Sequence, residues 1–482
     1  MNIKNAKHVH FTGIKGVGMT SLALCCQDLG IKITGSDVEE EFVTDETLKN
    51  RGVVWKIGFK KEHLDPKPDL LVFTGAHGGL NNPEVLAAKE IDIPVISHAE
   101  ALGQIAEGKK TIAVCGVGGK TTTCAMIATI LEYAGLNPSY AIGVGNIPST
   151  GAPGKYSKEG EYFICEADEF AISPGIDNRP RFSLLKPNYL SLTNITHDHP
   201  DIYPTFDDFK KVFAKFIMDM DYNSFIIGNA DTYEKLPIPP DFLDSPEWHW
   251  YSKDKDYATW QLTALGNNKG KTTFNLLHKE PNIGFTELYK LTLKVPGMFN
   301  IYNATAAFVI CLKIGVDSQV IIEGLKKYTG CKRRFEKVGE HNGILFYDDY
   351  AHHPTEIYQT LLAMSQWYNN RRIVVLFQPH TYSRTKALLN EFSKSFIHAE
   401  VVAITDIFAS AREPDDPTIN SKILIEEIKK NVGVSEPENA IYVGDLTNAA
   451  KWALKTLKPG DIFITLGAGD IYKIHKLILE RI

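Results

Sequence analysis

The sequence predicts an α/β protein of about three units. Three observations carry that reading. The chain has 482 residues, and domains average roughly 150 residues. Short apolar runs alternate with amphipathic segments along most of the chain, the pattern of parallel sheets flanked by helices. Twice, such a run passes directly into a glycine-rich turn and then an apolar helix. Hydrophobic residues make up 44% and charged residues 23% of the chain, which excludes disordered, collagenous and coiled-coil classes. Lys and Arg number 52 against 58 Asp and Glu, a net charge of −6, so no polybasic footprint points to nucleic acid. No apolar run approaches the roughly 18 residues of a membrane-spanning helix. Residues 1–11 carry Lys4, Lys7, His8 and His10 and lack the apolar core of a secretory signal. The cysteines form no CxxC pair and lie in or beside apolar segments, which predicts buried, reduced thiols in a cytoplasmic protein.

The first expected unit spans residues 1–107. His8–Thr12 reads as a strand, followed by a glycine-rich turn and a helix at 19–29 that Gly30 ends in a left-handed conformation. Further strands are expected at 31–34, 69–73 and 94–96. The polar, glycine-containing stretch 103–110 reads as a linker. The second unit, 108–331, restarts the pattern with a strand at 111–115, a turn at 116–119 and a helix at 120–134 closed by Gly135. Strands follow at 162–165 and 189–193. The stretch 231–294 contains Pro237, Pro239, Pro240 and Pro246 and alternating runs at 272–277 and 288–295. It predicts antiparallel strands or a long insertion, before a helix at 300–314. The third unit, 332–482, has strands at 343–347, 372–377, 401–404, 440–443 and 461–465 and a short last helix at 470–482.

The strongest chemical signal is Gly116-Val117-Gly118-Gly119-Lys120-Thr121-Thr122-Thr123, between a strand and a helix. Glycines let backbone N–H groups approach phosphate oxygens, and a helix N-terminus adds unsatisfied donors and partial positive charge. A lysine there reaches terminal phosphates and the next hydroxyl suits Mg²⁺. The spacing is not GxxxxGK[ST], because Val114 stands where that pattern has its first glycine; the bland alternative is a tight turn with an exposed lysine. The second turn, Gly13-Ile14-Lys15-Gly16-Val17-Gly18, has the order GxxGxG rather than the dinucleotide order GxGxxG. Asp37 lies 19 residues after Gly18, where an acidic residue commonly meets ribose hydroxyls. Asn82-Pro83-Glu84 reads equally as a binding turn or a helix start.

Glu166-Ala167-Asp168-Glu169 follows a strand, the place where open α/β sheets bind ligands. Its carboxylates suit Mg²⁺ beside phosphates, or form a solvated acidic turn. His197-Asp198-His199-Pro200-Asp201 follows another strand without the further ligands that zinc needs. In the third unit, Lys332-Arg333-Arg334-Phe335, Asp348-Asp349-Tyr350-Ala351-His352-His353-Pro354 and Gln378-Pro379-His380-Thr381-Tyr382-Ser383-Arg384 put polar groups near strand ends. Each alone reads as a capped helix start; together they predict a ligand-facing edge.

Together these motifs resemble the Mur ligases of bacterial cell-wall synthesis, along essentially the whole chain. The resemblance implies a three-domain Mur ligase architecture: a Rossmann-like N-terminal domain for a UDP-sugar, a central P-loop ATPase-like domain, and a C-terminal Rossmann-like α/β domain for an amino acid. It implies that ATP phosphorylates the lactyl carboxylate of UDP-N-acetylmuramate, that the amine of L-alanine attacks the acyl phosphate, and that ADP and phosphate leave. ATP and Mg²⁺ are the implied cofactors, with small-molecule substrates, no nucleic acid and no membrane insertion. By position, Gly13, Gly16, Val17, Gly18, Asp37, Asn82 and Glu84 match the family's UDP-sugar site. Gly116, Gly118, Gly119, Lys120, Thr121 and Thr122 match its phosphate loop, and Thr121, Glu166 and His199 its Mg²⁺ ligands. Asn300 and Asn303 match adenine contacts, and Arg334 and Asp349 residues that close the third domain over ATP. Tyr350, His352, His380 and Arg384 match the amino-acid end; Lys120, His352 and Arg384 are the implied catalytic groups, with His352 the candidate base.

Three places depart from the pattern. Val117 and Gly118 replace a Thr and a His of the phosphate loop, and Thr381 stands where an Arg is usual. Residues 170–181 are more similar to the sister ligase that attaches a recycled tripeptide, L-Ala-γ-D-Glu-meso-diaminopimelate, to the same UDP-sugar. The sister's third-domain loop does not resemble residues 378–384, so alanine is the expected substrate. A catalytically weakened nucleotide-binding homologue is the other alternative. The Gly119-Lys120-Thr121 loop and the carboxylate–histidine set argue against a dinucleotide oxidoreductase.

Overall fold

The computed structural model describes the chain except residues 200–201, 234–235, 240–244, 246, 269, 281–282, 410–413, 431–438 and 482. Pro200, Asp201, Pro240, Pro246 and the last residue of the expected terminal helix therefore lie outside the described residues. The chain divides into two compact units. One comprises Met1–Gly266, Thr273–Leu293 and Asn300–Thr329, the other Asn267–Thr272, Lys294–Phe299 and Gly330–Ile482.

The first unit opens with a sheet of β1 (His8–Thr12), β2 (Lys32–Asp37), β3 (Trp55–Ile57), β4 (Leu70–Phe73) and β5 (Val95–Ser97), in the order β3-β2-β1-β4-β5. All its pairs are parallel. β1 is central and buried after its first residue, although His8, His10 and Thr12 alternate with its apolar Val9 and Phe11. The order reverses between β1 and β4, so the turn after β1 sits at the topological switch point where such sheets bind ligands.

The linker expected at 103–110 is not there. A helix, His98–Ala106, starts from a capping box of Ser97 and Glu100, and the next strand begins at Lys110. Ala101, Leu102, Ile105 and Ala106 are buried. A Cβ on Gly103 would lie 2.8 Å from the Leu184 carbonyl oxygen. The glycine marks a close backbone approach, not a free connection.

The second sheet contains β6 (Lys110–Cys115), β7 (Ser139–Ala141), β8 (Gly154–Lys155), β9 (Tyr162–Glu166), β12 (Tyr189–Leu192), β13 (Phe225–Asn229), β14 (Trp248–Ser252), β15 (Trp260–Asn268), β16 (Lys271–Glu280) and β17 (Gly284–Leu293). Its order is β17-β16-β15-β14-β13-β12-β6-β9-β7-β8. β6 lies between β9 and β12, parallel to both. Successive neighbours β15, β16 and β17 are joined by very short connections, which only antiparallel pairing allows. They are the antiparallel strands expected within 231–294. A separate hairpin of β10 (Ala171–Ser173) and β11 (Asp177–Pro180) leaves the end of β9.

The other unit holds β18 (Glu336–His341), β19 (Ile344–Asp349), β20 (Ile373–Phe377), β21 (Val401–Thr405), β22 (Ala440–Gly444) and β23 (Ile462–Leu466), in the order β18-β19-β23-β20-β21-β22. Only β18 is antiparallel to its neighbour. Buried apolar clusters cover this sheet, one including Leu361, Phe392 and Leu424, the other Ala449, Ala453 and Ile474. The terminal helix is shorter than expected, a 3-10 turn at Ile471–Lys473 followed by Ile474–Leu479.

Candidate functional site

The phosphate-loop candidate follows β6, whose residues Thr111 to Cys115 are buried. Gly116 has φ +121°, and a Cβ there would lie 2.2 Å from Thr193 Oγ1. Gly119 has φ +85°, and a Cβ there would lie 2.4 Å from Asn303 Oδ1. Both positions therefore require glycine. Gly118 N–H donates to Asn194 Oδ1 at 2.8 Å and Thr193 Oγ1 donates to Gly118 O at 2.6 Å. Thr193 and Asn194, at the end of β12, brace the loop, and sequence reading assigned them no role. The Met298–Lys313 helix brings buried Asn303 beside the loop, with buried Asn300 3.5 Å from it.

Lys120 is the first residue of the Lys120–Tyr133 helix. Its Nζ lies 2.6 Å from Gly116 O and 3.0 and 2.8 Å from the two carboxylate oxygens of Glu169. Burial opposes its charge, but Glu169, Asp168 and Glu166 hold the ammonium well above its ordinary range. Burial pushes Glu169 up to about 7 even beside Lys120. Thr121 Oγ1 lies 3.1 Å from each oxygen of Glu166, which also accepts from Gly143 N–H at 2.7 Å. Ligand-type atoms of Glu169, Asp198 and His199 lie within 4.8 Å of one another. The structure thus joins Thr121 to Glu166, and places His199 with two carboxylates that were not among the expected metal ligands. Position after β9 and β12, the strands that flank β6, was the available signal for Glu169 and Asp198.

The other glycine-rich turn follows β1. Gly13 has φ +79° and room for no Cβ, which would lie 2.6 Å from Thr74 Cγ2. Gly13 and Ile14 N–H groups donate to Ser36 O at 2.8 and 3.1 Å, fastening the turn to β2. Asp37, fully buried, accepts from Lys15 N–H at 2.7 Å and Val38 N–H at 2.8 Å. Burial pushes its carboxyl above the usual range. Gly16 caps the Val17–Asp28 helix without a side-chain bond, so the helix presents bare N–H donors. Gly18 abuts His98, whose Nε2 would lie 3.2 Å from a Cβ there.

Asn82 caps the Pro83–Glu90 helix, accepting from Glu84 N–H at 2.9 Å. Glu84 is fully buried and accepts from Lys60 N–H at 3.2 Å, Thr12 Oγ1 at 3.2 Å and the Ser36 hydroxyl, with His63 Nδ1 at 2.7 Å. Burial opposes its ionisation, but bonds from His10, Ser36 and His63 hold its carboxyl below the usual range. These two residues shape the sheet end from within.

In the other unit, Asp349 accepts from Phe335 N–H at 2.6 Å and Ala351 N–H at 2.7 Å, and burial pushes it up to about 6. The Arg334 guanidinium lies over the Tyr350 ring at 4.7 Å. Arg333 instead ties the sheet together, donating to Asp348 at 2.9 Å and to Gly467 O and Gly469 O at 2.5 and 2.9 Å. The ends of β19 and β20 bring four expected residues together. His352 lies 5.2 Å from the Tyr350 ring and 6.0 Å from that of His380. Arg384 Nη1 lies 3.4 Å from His380 Nδ1. Thr381 holds a left-handed φ of +69° between them, unusual for a β-branched residue.

Family comparisons agree with this layout. The Mur ligase family, catalytic domain, matches residues 8–110; the Mur ligase middle domain matches 114–311; and the Mur ligase, glutamate ligase domain, matches 333–469. The UDP-N-acetylmuramate–L-alanine ligase of Desulfitobacterium hafniense (strain Y51) is 38% identical, over 98% of this chain and 99% of its own length. The solved UDP-N-acetylmuramate-alanine ligase of Thermotoga maritima is 25% identical with a TM-score of 0.79, covering 99% of both chains. The murein peptide ligase of Psychrobacter arcticus shares the fold, with a TM-score of 0.70 at 24% identity over 98% of each chain. With consecutive family domains matched from one end to the other and a relative aligned over nearly its whole length, the chain belongs to the Mur ligase family.

Proposed function

We propose that this chain joins the lactyl carboxylate of UDP-N-acetylmuramate to the amine of L-alanine, at the expense of ATP, in peptidoglycan precursor synthesis. The observation that carries this is the end-to-end identity with the D. hafniense ligase. We read residues 1–107, 108–331 and 332–482 as the UDP-sugar, ATP and amino-acid domains; the three larger sheets, one in each stretch, support those divisions. The substrates place the reaction in the cytoplasm. No described helix is long and apolar enough to cross a membrane.

The chemistry needs no covalent enzyme nucleophile. A carboxylate must attack a triphosphate, and both are anionic. Lys120 and the N–H groups of the Gly116–Lys120 turn offset that charge and favour its redistribution during transfer. To accept phosphate, Lys120 exchanges its contact with Glu169. Thr121, Glu166 and His199 would hold Mg²⁺; the hydroxyl and the carboxylate are the oxygen ligands that a hard divalent ion binding phosphate prefers, and Glu169 and Asp198 add two more carboxylates beside His199. When bound, Mg²⁺ supplies further neutralisation of the phosphates. Gly13, Gly16, Val17 and Gly18 hold the UDP diphosphate with backbone donors, and Asp37 secures that turn. Asn300 and Asn303 face the nucleotide, and we assign Arg334 and Asp349 to it as well.

Tyr350, His380 and Arg384 orient alanine. His352 Nδ1 lies 3.0 Å from Tyr350 O, a carbonyl that only accepts, so Nδ1 carries a proton, and we assign this ring as the base that takes the amine proton.

Purified protein given UDP-N-acetylmuramate, L-alanine, ATP and Mg²⁺ should release phosphate only when all are present, with the ligated UDP-sugar seen by mass. No alanine-dependent phosphate at saturation overturns the reading. A panel with glycine, serine and the tripeptide tests the second reading, favoured by residues 170–181, in which the tripeptide is the substrate. ATP binding without any amide product would instead mark a weakened homologue.

A further inference from the structure

The β10–β11 hairpin has no part in the mechanism above, yet it is seated against the first sheet. A Cβ on Gly75 would lie 2.9 Å from Ile172 O, and one on Gly79 would lie 2.9 Å from Ser173 Oγ. The loop after β4 and the hairpin therefore meet at a distance only glycine permits. Arg181 is the residue that leaves the hairpin. Its Nη1 donates to Asp168 Oδ2 at 2.8 Å and its Nε to Ala171 O at 3.2 Å. Its guanidinium lies over the Phe170 ring at 5.3 Å. Nη2 points to the loop after β4, 3.4 Å from where a Gly75 Cβ would be, and donates no hydrogen bond among the described residues. The side chain is 24% exposed.

This guanidinium stands between the two substrate sites. On one side is His98, which touches Gly18 of the diphosphate turn. Burial, with the Arg181 charge added, pushes His98 down to about 4, so the ring is neutral at pH 7. On the other side is Asp168. Burial opposes its ionisation, but Arg181 and Lys120 hold its carboxyl well below the usual range. A sugar held by its diphosphate at Gly13–Gly18 must pass its carboxylate across this seam to reach the phosphate at Lys120. An arginine fork offers two edges. Each edge already gives one donor, Nη1 to Asp168 and Nε to Ala171, and Nη2, which the two edges share, faces the seam.

We propose that Arg181 receives the carboxylate of the UDP-sugar on Nη2 and positions it between the diphosphate turn and Lys120. The hairpin is then a substrate-selecting element that distinguishes a UDP-sugar bearing a carboxylate from one without. This rests on the function proposed above.

The test is calorimetric binding of UDP-N-acetylmuramate and of UDP-N-acetylglucosamine, which lacks the lactyl carboxylate, to the full chain. Arg181→Met should weaken the first by about 10- to 100-fold, the range for losing a hydrogen bond between charged groups. The second should change less than about twofold, because the contact is absent from it. Arg181→Lys keeps the charge without the fork and should fall between, which preserves the test if Arg181→Met melts early. An equal loss for both sugars in the two variants would make Arg181 a structural clamp and overturn the inference, as would unchanged selectivity. Wild-type protein that fails to bind UDP-N-acetylmuramate would overturn the proposed function itself; failure confined to the variants would overturn only this role.

Discussion

In each of the first two sheets, an interior strand, β1 or β6, ends in a glycine-rich turn that opens a helix, and each turn carries a lysine put to a different use. Lys15 sits inside its turn and is 1% exposed. Its Nζ donates to Glu40 O at 2.5 Å and lies over the Phe42 ring at 4.8 Å. Lys120 is the first residue of its helix, and side chains there point back toward the N-terminus. Its Nζ consequently returns over its own loop. The acids differ in the same way. Asp37 accepts two backbone N–H groups and stiffens its turn, whereas Glu169 faces the lysine ammonium. A diphosphate that is only held needs backbone dipoles. A phosphate that is transferred needs a charge that follows it.

The sharpest way to break this contrast is Lys120→Ala. It should lower kcat by at least about 10²- to 10³-fold, while UDP-N-acetylmuramate affinity, measured calorimetrically, stays within about twofold because that turn is separate. Unchanged turnover would remove Lys120 from the mechanism.

Glu169 gives a pH signature. Its native pKa, about 7, lies above the ordinary 4.5. The native state therefore binds the extra proton, and the stabilisation is complete below about 4.5 and lost as pH rises through about 7. Glu169→Gln should remove a slope worth up to about 3 kcal/mol. Urea unfolding of the metal-free protein at pH 5 and 7.5 measures it; an equal gap between variant and wild type at both pH values would contradict the buried-acid assignment.

Gly13→Ala and Gly119→Ala each place a Cβ against a neighbour, at 2.6 and 2.4 Å. Each should cost about 1–3 kcal/mol in strain. The first should raise the KM for the UDP-sugar, the second that for ATP, by about tenfold. Both KM values moving together in either variant would mean the turns are not independent.

The smallest effect is expected at Lys15→Met, which keeps the stem but loses the ammonium. Thermal unfolding should show a loss of about 1–2 kcal/mol, with kcat within about twofold of wild type. A large fall in kcat with stability intact would give both lysines the same task.

How much was readable follows burial. β6, β9 and β12 were expected to within about two residues because parallel strands covered on both faces are largely apolar runs; β1, His-Val-His-Phe-Thr, was marked instead by the glycine-rich turn that follows it. β18 was not anticipated: its sequence, Glu336–His341, is polar and partly exposed. The Asn342-Gly343 pair, both at positive φ, was the available hairpin signal. The β10–β11 hairpin was likewise missed, its strands being only 3 and 4 residues long and separated by Pro174-Gly175-Ile176. Gly103 misled because a glycine in a mobile link and one at a close packing contact look alike in one dimension.

The sequence alone determined the alternation of strands and helices, the two glycine-rich turns and the residue types at each strand end, because these follow from local periodicity and backbone freedom. Only the tertiary structure decided which lysine is buried, that Thr193 and Asn194 brace the Gly116–Gly119 turn, and that Arg181 pairs with Asp168 beside the loop after β4. Those depend on side chains far apart in the chain meeting at adjacent strand ends, and no local preference encodes which strands become neighbours.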